Sequence, residues 1–452
     1  MNKTVVIDIV GLSSALIGAH TPFLRKWSSE NNLSTINSML PAVTTSVQST
    51  YLTGKWPSEH GIVGNGWYDR TDCEIKFWKQ SNRLVQSEKI WDKAKKLELG
   101  FTCANMFWWY NMYSSVDFSV TPRPNYLADG RKIPDCYSQP AGLRDYLQKE
   151  LGQFPLFNYW GPGANIKSSQ WITNASMIVE EKYHPTLTLI YLPHLDYCLQ
   201  KFGRDFSKIS KDLGEIDSIV EGLVHFYKNK GTEIILLSEY GITNVSNPVH
   251  LNRVFRENGL IGIRNERGLE LLDAGASKAF AVADHQIAHI YINDKSSETR
   301  VRELLDKTSG IGVILDEEGK KRYHIDHERA GDIVVVADEK SWFTYYYWMD
   351  DKRAPDFARL VAIHQKPGYD PVEMFMTSRL RAAYKLMRKE LGFRYLMDVI
   401  PLDASLPKGS HGRINVSEED LPVLIISRKN NEIKKNIDGV EVFNIVWKQL
   451  MY

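Results

Sequence analysis

Cysteine is scarce in this sequence of 452 residues, which contains four. Cys73, Cys103, Cys136 and Cys198 lie far apart, and no two of them have the spacing of a paired metal-binding motif. Sparse cysteines of this kind are typical of proteins whose thiols stay reduced. We therefore expect no cysteine-bound metal and a cytoplasmic location.

Charge of one sign is also lacking. Lys and Arg number 56 against 55 Asp and Glu, so the formal net charge is +1, and no long basic or acidic run occurs. A protein that coats nucleic acid or lies on an anionic membrane needs a basic surface, which this balance does not provide. Small molecules are the expected partners, and the oligomeric state stays open.

Long apolar runs are missing as well. The N-terminal segment MNKTVVIDIVGLSS is too short to cross a membrane, contains Asp8, and lacks the apolar core and cleavage site of a signal peptide. It fits a first β-strand instead. With 43% hydrophobic and 25% charged residues, the composition is that of an ordinary globular protein.

Three β-rich segments share one design. The apolar runs KTVVIDIVG, TLTLIYLPHLD and TEIILLSEYG lead into Asp8, Asp196 and Glu239, respectively. Near-continuous Val, Ile and Leu runs are typical of strands buried on both faces of a parallel sheet. Helical patterns lie between such runs, for example at residues 87–96 and 209–228. The alternation predicts an α/β fold with a doubly wound, mostly parallel sheet.

Carboxylates at these strand ends favour a ligand site. In doubly wound folds, ligands bind outside the carboxyl ends of the strands. A single terminal Asp often only caps the next helix. Three acidic strand ends, together with Thr44 after Pro41, indicate a cation or phosphate site.

A change in the spacing of the predicted strands and helices indicates a smaller α/β insertion. Between about residues 281 and 348, short strands and a helix alternate at close intervals. We assign residues 1–260 and 355–452 to the main domain and 261–354 to an accessory subdomain. A helix over 372–391 and a final strand, LPVLIIS, belong to the main domain. The aromatic clusters FWWYNMY and WFTYYYW are predicted core, with a stacking wall for a base as the alternative.

Residues 41–65, PAVTTSVQSTYLTGKWPSEHGIVGN, predict a helix that begins near Thr44 and ends before Gly54 and Pro57. As N-cap, the Thr44 hydroxyl would accept from a backbone N–H. A hydroxyl at that position can also act as a nucleophile, because a helix N-terminus favours a bound phosphate. For a lone threonine, capping is the simpler interpretation.

The motifs resemble the alkaline phosphatase superfamily, in its type I phosphodiesterase/nucleotide pyrophosphatase branch. Members begin with a strand that ends in a metal-binding Asp, followed by Pro, a nucleophilic Thr, a TG…P…HG signature and a phosphate-binding Asn. The matching residues here are Asp8, Pro41, Thr44, Thr53, Gly54, Pro57, His60, Gly61 and Asn65. Asn65 follows Thr44 by 65 − 44 = 21 positions, as the resemblance requires, so Thr44 rather than Thr45 is the predicted nucleophile.

Three metal-contacting positions of this family are changed. The motif D-x-x-x-H appears as Asp196 followed by Gln200, and D-H-G appears as Glu239 followed by Tyr240. The late G-x-H-G motif is intact around His411. By resemblance, the predicted metal-contacting residues are Asp8, Thr44, Asp196, Gln200, Glu239, Tyr240 and His411.

The resemblance implies a metal-dependent phosphoesterase that acts on a phosphate ester, nucleotide or pyrophosphate through a covalent phospho-Thr44 intermediate. Asn65 and the backbone N–H of Thr45 would hold the phosphoryl oxygens. Two divalent ions are expected, and zinc is the family's usual metal. Because the three changed ligands make the site richer in oxygen, manganese or iron is the alternative, as is the loss of one metal position.

Other histidines are candidate substitute ligands. We rank His364 first, because it lies in the polar loop AIHQKPGYD. His194, two residues before Asp196, is a candidate ligand or a residue that orients that carboxylate. The further candidates are His285, which follows Asp284, and His289. Taken singly, each histidine is more often a hydrogen-bonded structural residue than a ligand.

The loop at residues 121–135 carries Arg123, Arg131 and Lys132 among Pro and Gly residues. Arginines suit phosphate recognition, although charged loop residues are usually only solvated. We expect this loop to contact a second phosphate or the leaving group of the substrate.

The changed ligands leave two alternatives to hydrolysis. One is a protein that binds a phosphorylated metabolite without cleaving it. The other is a phosphotransferase, which passes the phosphoryl group from Thr44 to an alcohol by the same covalent step.

Overall fold

The structure, a computed structural model, describes residues 1–129, 131–393, 395–427 and 433–452. It contains a nine-stranded sheet and a four-stranded sheet. In chain order, the strands of these two sheets are β1 (Thr4–Ile9), β2 (Asn32–Asn37), β3 (Cys103–Met106), β4 (Phe118–Pro122), β5 (Cys136–Gln139), β6 (Leu187–Leu192), β7 (Glu233–Leu237), β8 (Ala279–Asp284), β9 (Ile287–Ile292), β10 (Ile311–Leu315), β11 (Ile333–Ala337), β12 (Val423–Ile426) and β13 (Asn436–Asp438).

The nine-stranded sheet has the order β13-β2-β12-β7-β1-β6-β3-β4-β5. Strands β7, β1 and β6 are parallel neighbours at its centre, where Asp8 is paired with Leu237 on one side and Tyr191 on the other. Strand β12 runs antiparallel to both of its neighbours, and β5 is antiparallel to β4. All six residues of β1 and of β6 are buried, as expected for strands covered on both faces. The predicted doubly wound, mostly parallel sheet is confirmed.

Helices cover this sheet and connect its strands. The helices are α1 (Pro22–Glu30), α2 (Thr44–Thr53), α3 (Ile90–Leu97), α4 (Ala141–Leu151), α5 (Lys167–Tyr183), α6 (His194–Phe202), α7 (Phe206–Asn229), α8 (Leu251–Glu257), α9 (Glu298–Lys307), α10 (Arg379–Glu390) and α11 (Glu441–Met451). Single-turn or short helices occur at Pro57–His60, Leu156–Tyr159 and Glu317–Arg322. Helix α7 buries an apolar face that includes Leu213, Val220 and Leu223 in the main core.

The four-stranded sheet has the order β8-β9-β11-β10, and its pairs are antiparallel. One face packs on α9 through Val301 and Leu305. The other face packs on Ile62 and Val63, which follow α2 in the chain. The smaller α/β unit therefore lies against the segment that carries the family signature. The subdomain limits of 261 and 354 stay a prediction.

Short two-stranded pairs complete the described strands. They are Gly66–Asp69 with Glu74–Phe77, Asn125–Tyr126 with Lys132–Ile133, Thr243–Asn244 with Gly409–Ser410, Asn247–Val249 with Ser341–Phe343, and Gly262–Glu266 with Leu269–Asp273. Within the described ranges, no helix combines the length and apolarity needed to cross a membrane.

The helix predicted over residues 372–391 is shorter in the structure. A 3-10 turn at Pro371–Met374 stops at Phe375, whose backbone is extended. Helix α10 begins only at Arg379, where the Ser378 side chain accepts from the Arg381 N–H. The two aromatic clusters were placed correctly, because Trp108, Trp342 and their neighbours are buried.

Candidate active site

The acidic strand ends meet at the carboxyl edge of the central sheet. Asp8 is the fifth residue of β1, Glu239 lies two residues beyond β7, and Asp196 lies in the first turn of α6 after β6. All three side chains are buried. Because β7, β1 and β6 are parallel neighbours, their ends converge at one edge, as the sequence predicted.

Thr44 lies at the same edge, as the first residue of α2. The N-cap of that helix is Val43, and no side chain caps it. The prediction that Thr44 serves as N-cap is therefore wrong. Because the backbone enters the helix one residue earlier than expected, the hydroxyl points into the site, where Oγ1 lies 3.0 Å from the Tyr240 hydroxyl.

Asp8 and Glu239 form a carboxylate pair beside Thr44. Neither oxygen of Asp8 has a hydrogen-bond partner among the described residues, and Oε2 of Glu239 also has none. Oε1 of Glu239 accepts from the side-chain amide of Gln48, whose own oxygen accepts from the backbone N–H of Trp109 at 2.6 Å. Gln48 thus fixes Glu239 from one helical turn beyond Thr44.

Burial raises the pKa of both carboxyls of this pair. For Asp8 the nearby polar side chains of Glu239 and Gln48 oppose the shift, whereas for Glu239 the charge of Asp8 adds to it. Two buried carboxylates in contact are unfavourable unless a proton or a cation lies between them. The pair is therefore suited to a positive charge.

Asp196 forms the other half of the site. One carboxylate oxygen, Oδ1, lies 3.5 Å from the Tyr240 hydroxyl and 3.8 Å from Nε2 of His411. The second oxygen accepts from the amide nitrogen of Gln200 at 2.8 Å. Burial raises the pKa of Asp196 to about 7, against the opposing effect of these hydrogen bonds.

Gln200 does not present a ligand atom to this site as we predicted. Its nitrogen, which cannot bind a metal, faces Asp196, and its oxygen accepts from the hydroxyl of Tyr369 at 2.9 Å. Gln200 thus holds the Asp196 carboxylate in place.

His411 is oriented to offer a bare nitrogen. Nδ1 lies 2.7 Å from the carbonyl oxygen of Ala42. Since a carbonyl can only accept, Nδ1 carries the proton, and Nε2 of the neutral ring has a free lone pair. Burial lowers the pKa of His411 to about 3, so the ring is neutral at physiological pH. Nε2 has no hydrogen-bond partner among the described residues.

Four rings are stacked beside these carboxylates. The centroids of Tyr240 and His411 are 3.6 Å apart, those of His411 and His285 are 3.7 Å apart, and those of His285 and Tyr369 are 3.6 Å apart. His285 lies in the tight turn between β8 and β9 with a φ of 60°, and the next residue, Gln286, donates its N–H to the carbonyl of His411. This hairpin brings the smaller sheet into the site.

The remaining histidines lie elsewhere. Nδ1 of His364, our first-ranked substitute ligand, contacts the carbonyl of Phe77 at 3.4 Å, and no described hydrogen bond or ion pair joins it to the acidic group. The role of His364 as a substitute ligand stays a prediction. His289 bridges Val63 and Gly331 and is structural. His194 faces α7 rather than Asp196.

Asn65 is held beside the N-terminus of α2. Its side-chain oxygen accepts from the backbone N–H of Thr45 at 3.2 Å. Its backbone N–H and its side-chain nitrogen donate to the two oxygens of Asp284, at 2.8 and 3.1 Å. The two predicted phosphate donors thus contact each other, and Asp284 orients them. Burial raises the pKa of Asp284 to about 7, against the hydrogen bonds from Asn65.

An aromatic wall leads outward from the ring stack. Trp78 and Trp160 are half-buried, with ring centroids 6.2 and 5.8 Å from that of Tyr369. Trp109 lies 5.2 Å from Trp78 and is tied to Gln48 by its backbone.

Cations lie next to this wall. Burial lowers the pKa of His364, and the nearby charges of Lys132, Lys79 and Arg123 lower it further. The guanidinium of Arg123 donates to Gln80. Arg131, by contrast, is exposed and pairs with Asp129 at 2.7 Å. Of the predicted basic loop, Arg123 and Lys132 are therefore near His364. Residue 130 of this loop lies outside the described residues.

The acidic groups fit divalent cations. Three buried carboxylate oxygens of Asp8 and Glu239, and Nε2 of His411, are acceptors without a described partner. In the part of the chain that the structure describes, neither the Asp8–Glu239 pair nor the Asp196–His411 pair gains a third His, Cys, Asp or Glu ligand atom within 4.8 Å. A bound ion would complete its coordination with hydroxyl, phosphate or water oxygens.

Comparison with known proteins decides the family. The sequence profile described as "Type I phosphodiesterase / nucleotide pyrophosphatase" matches residues 4–370. The chain belongs to this family. It is therefore a hydrolase of phosphate ester or phosphoanhydride bonds, as predicted.

Individual relatives agree with this family. Ectonucleotide pyrophosphatase/phosphodiesterase 2 of Saccharomyces cerevisiae is 24% identical over 468 residues, which cover 98% of this chain and 81% of the relative. Inactive murine ectonucleotide pyrophosphatase/phosphodiesterase 5, solved in complex with AMP, superposes with a TM-score of 0.61 at 13% identity, over 100% of this chain and 95% of that one. Phosphonoacetate hydrolase from Sinorhizobium meliloti, in complex with phosphonoformate, gives a TM-score of 0.62 at 14% identity, over 99% and 96%. At these identities, the solved structures show a shared fold.

Sequence reasoning missed parts of the site. Gln48 was not singled out, although its position four residues after Thr44 places both on one helix face. His285 was named only as one of several candidate ligands, and Asp284 was noticed only as its neighbour in sequence. Tyr369 left no signal at all, because its contacts with Gln200 and His285 join segments that are far apart in the chain.

Proposed function

We propose that the protein is a divalent-metal-dependent phosphodiesterase or nucleotide pyrophosphatase whose nucleophile is Thr44. The observation that carries this proposal is the placement of Thr44. Its hydroxyl lies at the N-terminus of a fully buried helix, hydrogen-bonded to Tyr240 and next to the unpartnered Asp8–Glu239 pair. A threonine that only capped the helix would not need contacts with Tyr240 or with the two carboxylates.

The phosphoryl group of the substrate would bind at the N-terminus of α2. Backbone N–H groups and the helix dipole favour negative charge there. The Thr45 N–H and the Asn65 amide are the nearest donors, already held in position by Asp284. Preorganised donors of this kind stabilise charge that builds on the phosphoryl oxygens.

When bound, divalent ions would neutralise those oxygens and activate hydroxyl groups as Lewis acids. Asp8 and Glu239 would hold one ion, and Asp196 with Nε2 of His411 is the second predicted position. The first pair offers only oxygen, which suits manganese or magnesium better than zinc. Zinc stays the family expectation, and iron stays an alternative.

Tyr240 would carry the proton of the nucleophile. Burial and the surrounding carboxylates raise the pKa of its phenol, so its hydroxyl stays protonated and able to relay a hydrogen bond. The Thr44 proton would pass to the Tyr240 oxygen, while the Tyr240 proton passes to Asp196, whose Oδ1 lies 3.5 Å from that hydroxyl.

The reaction then has two displacements. Oγ1 of Thr44 attacks phosphorus, the bond to the leaving oxygen breaks, and that oxygen departs with both electrons. A diester would leave Thr44 phosphorylated, with one ester group still attached. Water then attacks phosphorus and the bond to Oγ1 breaks. One proton of that water passes through solvent to the departed leaving oxygen, and the proton held on Asp196 returns to Thr44 through Tyr240.

The aromatic and basic side chains near Tyr369 would suit a nucleotide-like substrate. The ring wall of Trp78, Trp109 and Trp160 offers faces for a base or aryl group, and Lys132 and Arg123 lie nearby to meet a second phosphate. The AMP bound to the murine structural neighbour has the same chemical parts.

The experiment is to trap the covalent intermediate. Metal-loaded protein is mixed with bis(p-nitrophenyl) phosphate, quenched in acid within a turnover, and digested for mass spectrometry. We expect the p-nitrophenyl phosphoryl group on the peptide that contains Thr44. The adduct should vanish in Thr44→Ala and persist in Thr53→Ala, which removes a hydroxyl from the same helix that bonds only to neighbouring backbone.

Other outcomes would select the alternatives. An adduct that forms but is discharged only by an added alcohol would identify a phosphotransferase. No adduct and no turnover with any metal, in a folded protein that still binds AMP, would identify a phosphate-binding protein that has lost catalysis.

A further inference from the structure

A second metal-binding arrangement lies between α6 and α7, apart from the acidic group described above. Nε2 of His194, the first residue of α6, lies 3.2 Å from Oδ1 of Asp212 and 3.5 Å from Oε2 of Glu215. The three atoms all lie within 4.8 Å of one another. Within the described residues, this is the one place where His, Cys, Asp and Glu side chains converge in this way.

The histidine is buried without a hydrogen-bond partner. Its side chain is 1% exposed, and neither ring nitrogen makes a hydrogen bond to a described residue. A buried polar atom normally has a hydrogen-bond partner, because removing it from water without one is unfavourable. Nε2 is aimed at the two carboxylates, so an ion between them would supply what the ring lacks.

The carboxylates of Asp212 and Glu215 are also placed to bind an ion. Asp212 and Glu215 are three residues apart on α7, which places them on one helix face. They are 26% and 29% exposed, so an ion can reach them from solvent. Glu215 also lines an open groove between α5 and α7. Its other oxygen pairs with Lys211 at 3.3 Å, which leaves Oε2 free to face His194.

The spacing matches zinc. In a tetrahedral site with bonds of about 2.0–2.1 Å, neighbouring ligand atoms are roughly 3.3 Å apart. The distances from Nε2 to Asp212 and to Glu215 are 3.2 and 3.5 Å. One imidazole and two carboxylates form a ligand set that zinc accepts, with water as the fourth ligand.

We propose that His194, Asp212 and Glu215 bind one zinc ion that joins α6 to α7. The ion would fix the first turn of α6, and Asp196 lies in that turn two residues after His194. The ion would stabilise the packing of α6 on α7 and would take no part in the chemical reaction. This proposal does not depend on the nucleophile or on the metal used for catalysis.

The test is a zinc titration of the full chain after removal of metals. Bound zinc is counted by equilibrium dialysis with elemental analysis, and the melting temperature is recorded at each step. The double variant Asp212→Asn/Glu215→Gln keeps the side-chain shapes, leaves the buried His194 in place, and removes both carboxylates. We expect it to bind one equivalent fewer than wild type and to lose most of the zinc-dependent rise in melting temperature.

Two further variants separate this site from the others. Asp8→Asn/Glu239→Gln should keep the zinc equivalent that Asp212→Asn/Glu215→Gln loses. The double change Glu317→Gln/Glu318→Gln removes two exposed charges from another surface helix and should bind as wild type does.

The proposal is overturned if wild type and Asp212→Asn/Glu215→Gln bind the same number of zinc equivalents with the same rise in melting temperature. In that case the three side chains form only a histidine–carboxylate cluster without a metal ion. Loss of catalysis in Thr44→Ala, or its absence in wild type, changes neither outcome, so this proposal and the proposed function fail independently.

Discussion

The phenol ring of Tyr240 lies flat on the imidazole of His411, with centroids 3.6 Å apart and planes inclined by 6°. The stack places the Tyr240 hydroxyl between Thr44 and Asp196, at 3.0 and 3.5 Å. The Tyr240 hydroxyl thus contacts both the Thr44 hydroxyl and a carboxylate oxygen.

Removing that hydroxyl should slow the chemical step. In Tyr240→Phe the ring stack is kept, but Thr44 loses its hydrogen-bond partner, so kcat should fall by about 100-fold, as for loss of a proton relay. KM should change little, because the ring does not hold the substrate. Tyr240→His should shift the metal that best restores activity towards zinc. Activity after addition of each metal to stripped protein measures both effects; equal kcat in Tyr240→Phe and wild type would contradict this role.

Asp284 should act through Asn65. The backbone N–H of Asn65 and one N–H of its side-chain amide are donated to the Asp284 carboxylate. Asp284→Asn would therefore turn the Asn65 side chain and raise KM by about tenfold. Because the two residues form one unit, the double variant with Asn65→Ala should be no worse than Asn65→Ala alone. Steady-state kinetics of the four proteins measure the coupling. Independent, additive losses would show that Asp284 does not position Asn65.

Arg123 should distinguish substrates by their second phosphate. Arg123 and Lys132 lie near His364, whereas Arg131 forms an exposed ion pair with Asp129. Arg123→Ala should raise KM for a dinucleotide pyrophosphate by about tenfold and leave KM for bis(p-nitrophenyl) phosphate unchanged. Arg131→Ala is the matched control and should affect neither substrate. Equal KM changes for both substrates in Arg123→Ala would refute a contact with a second phosphate.

Asp135 should make stability depend on pH. Burial opposes its ionisation, but hydrogen bonds from Arg144, Gln148 and the Cys136 N–H prevail, so its pKa in the folded protein lies below the usual value. A group with a lowered folded pKa stabilises the protein above its unfolded pKa of about 3.9, and this stabilisation is lost as pH falls through the folded value.

Asp135→Asn should therefore lower the free energy of unfolding by about 1–3 kcal/mol at pH 7 and by much less at pH 3. Denaturant titrations at the two pH values measure the difference. The control Asp129→Asn concerns an exposed pair and should have little effect at either pH. A deficit of the same size at both pH values would exclude the ionised carboxylate as its cause.

The sequence predicted those parts of the molecule that local pattern determines. Buried strands ending in Asp8 and Glu239 were visible because an apolar run and its terminal charge are adjacent in the chain. Thr44 and Asn65 were found because their interval is fixed by the family. Each of these features depends on a short stretch of sequence. The structure places the four residues Asp8, Glu239, Thr44 and Asn65 close to one edge of the sheet.

The ring stack could not be predicted in the same way. His285, Tyr369 and His411 are brought together by a hairpin of the smaller sheet that reaches the main domain. Their contacts depend on tertiary packing, which no local pattern records, and so the polar loop of His364 was the more obvious signal. The prediction that Thr44 is the N-cap failed for a related reason. The helix begins one residue earlier than the sequence pattern indicates, so Val43 is the N-cap and the Thr44 hydroxyl points into the site.

The cysteine prediction is only partly tested. All four cysteines are free, with Cys73 exposed and the others buried. The cytoplasmic location inferred from them stays a prediction.

The most direct test of the account is hydrolysis of bis(p-nitrophenyl) phosphate by metal-stripped protein, with zinc, manganese, magnesium and iron added back separately. Wild type, Thr44→Ala and Thr53→Ala are compared under each metal. The account predicts turnover that depends on an added divalent ion, is abolished in Thr44→Ala and is retained in Thr53→Ala. Turnover without metal, or full activity in Thr44→Ala, would contradict it.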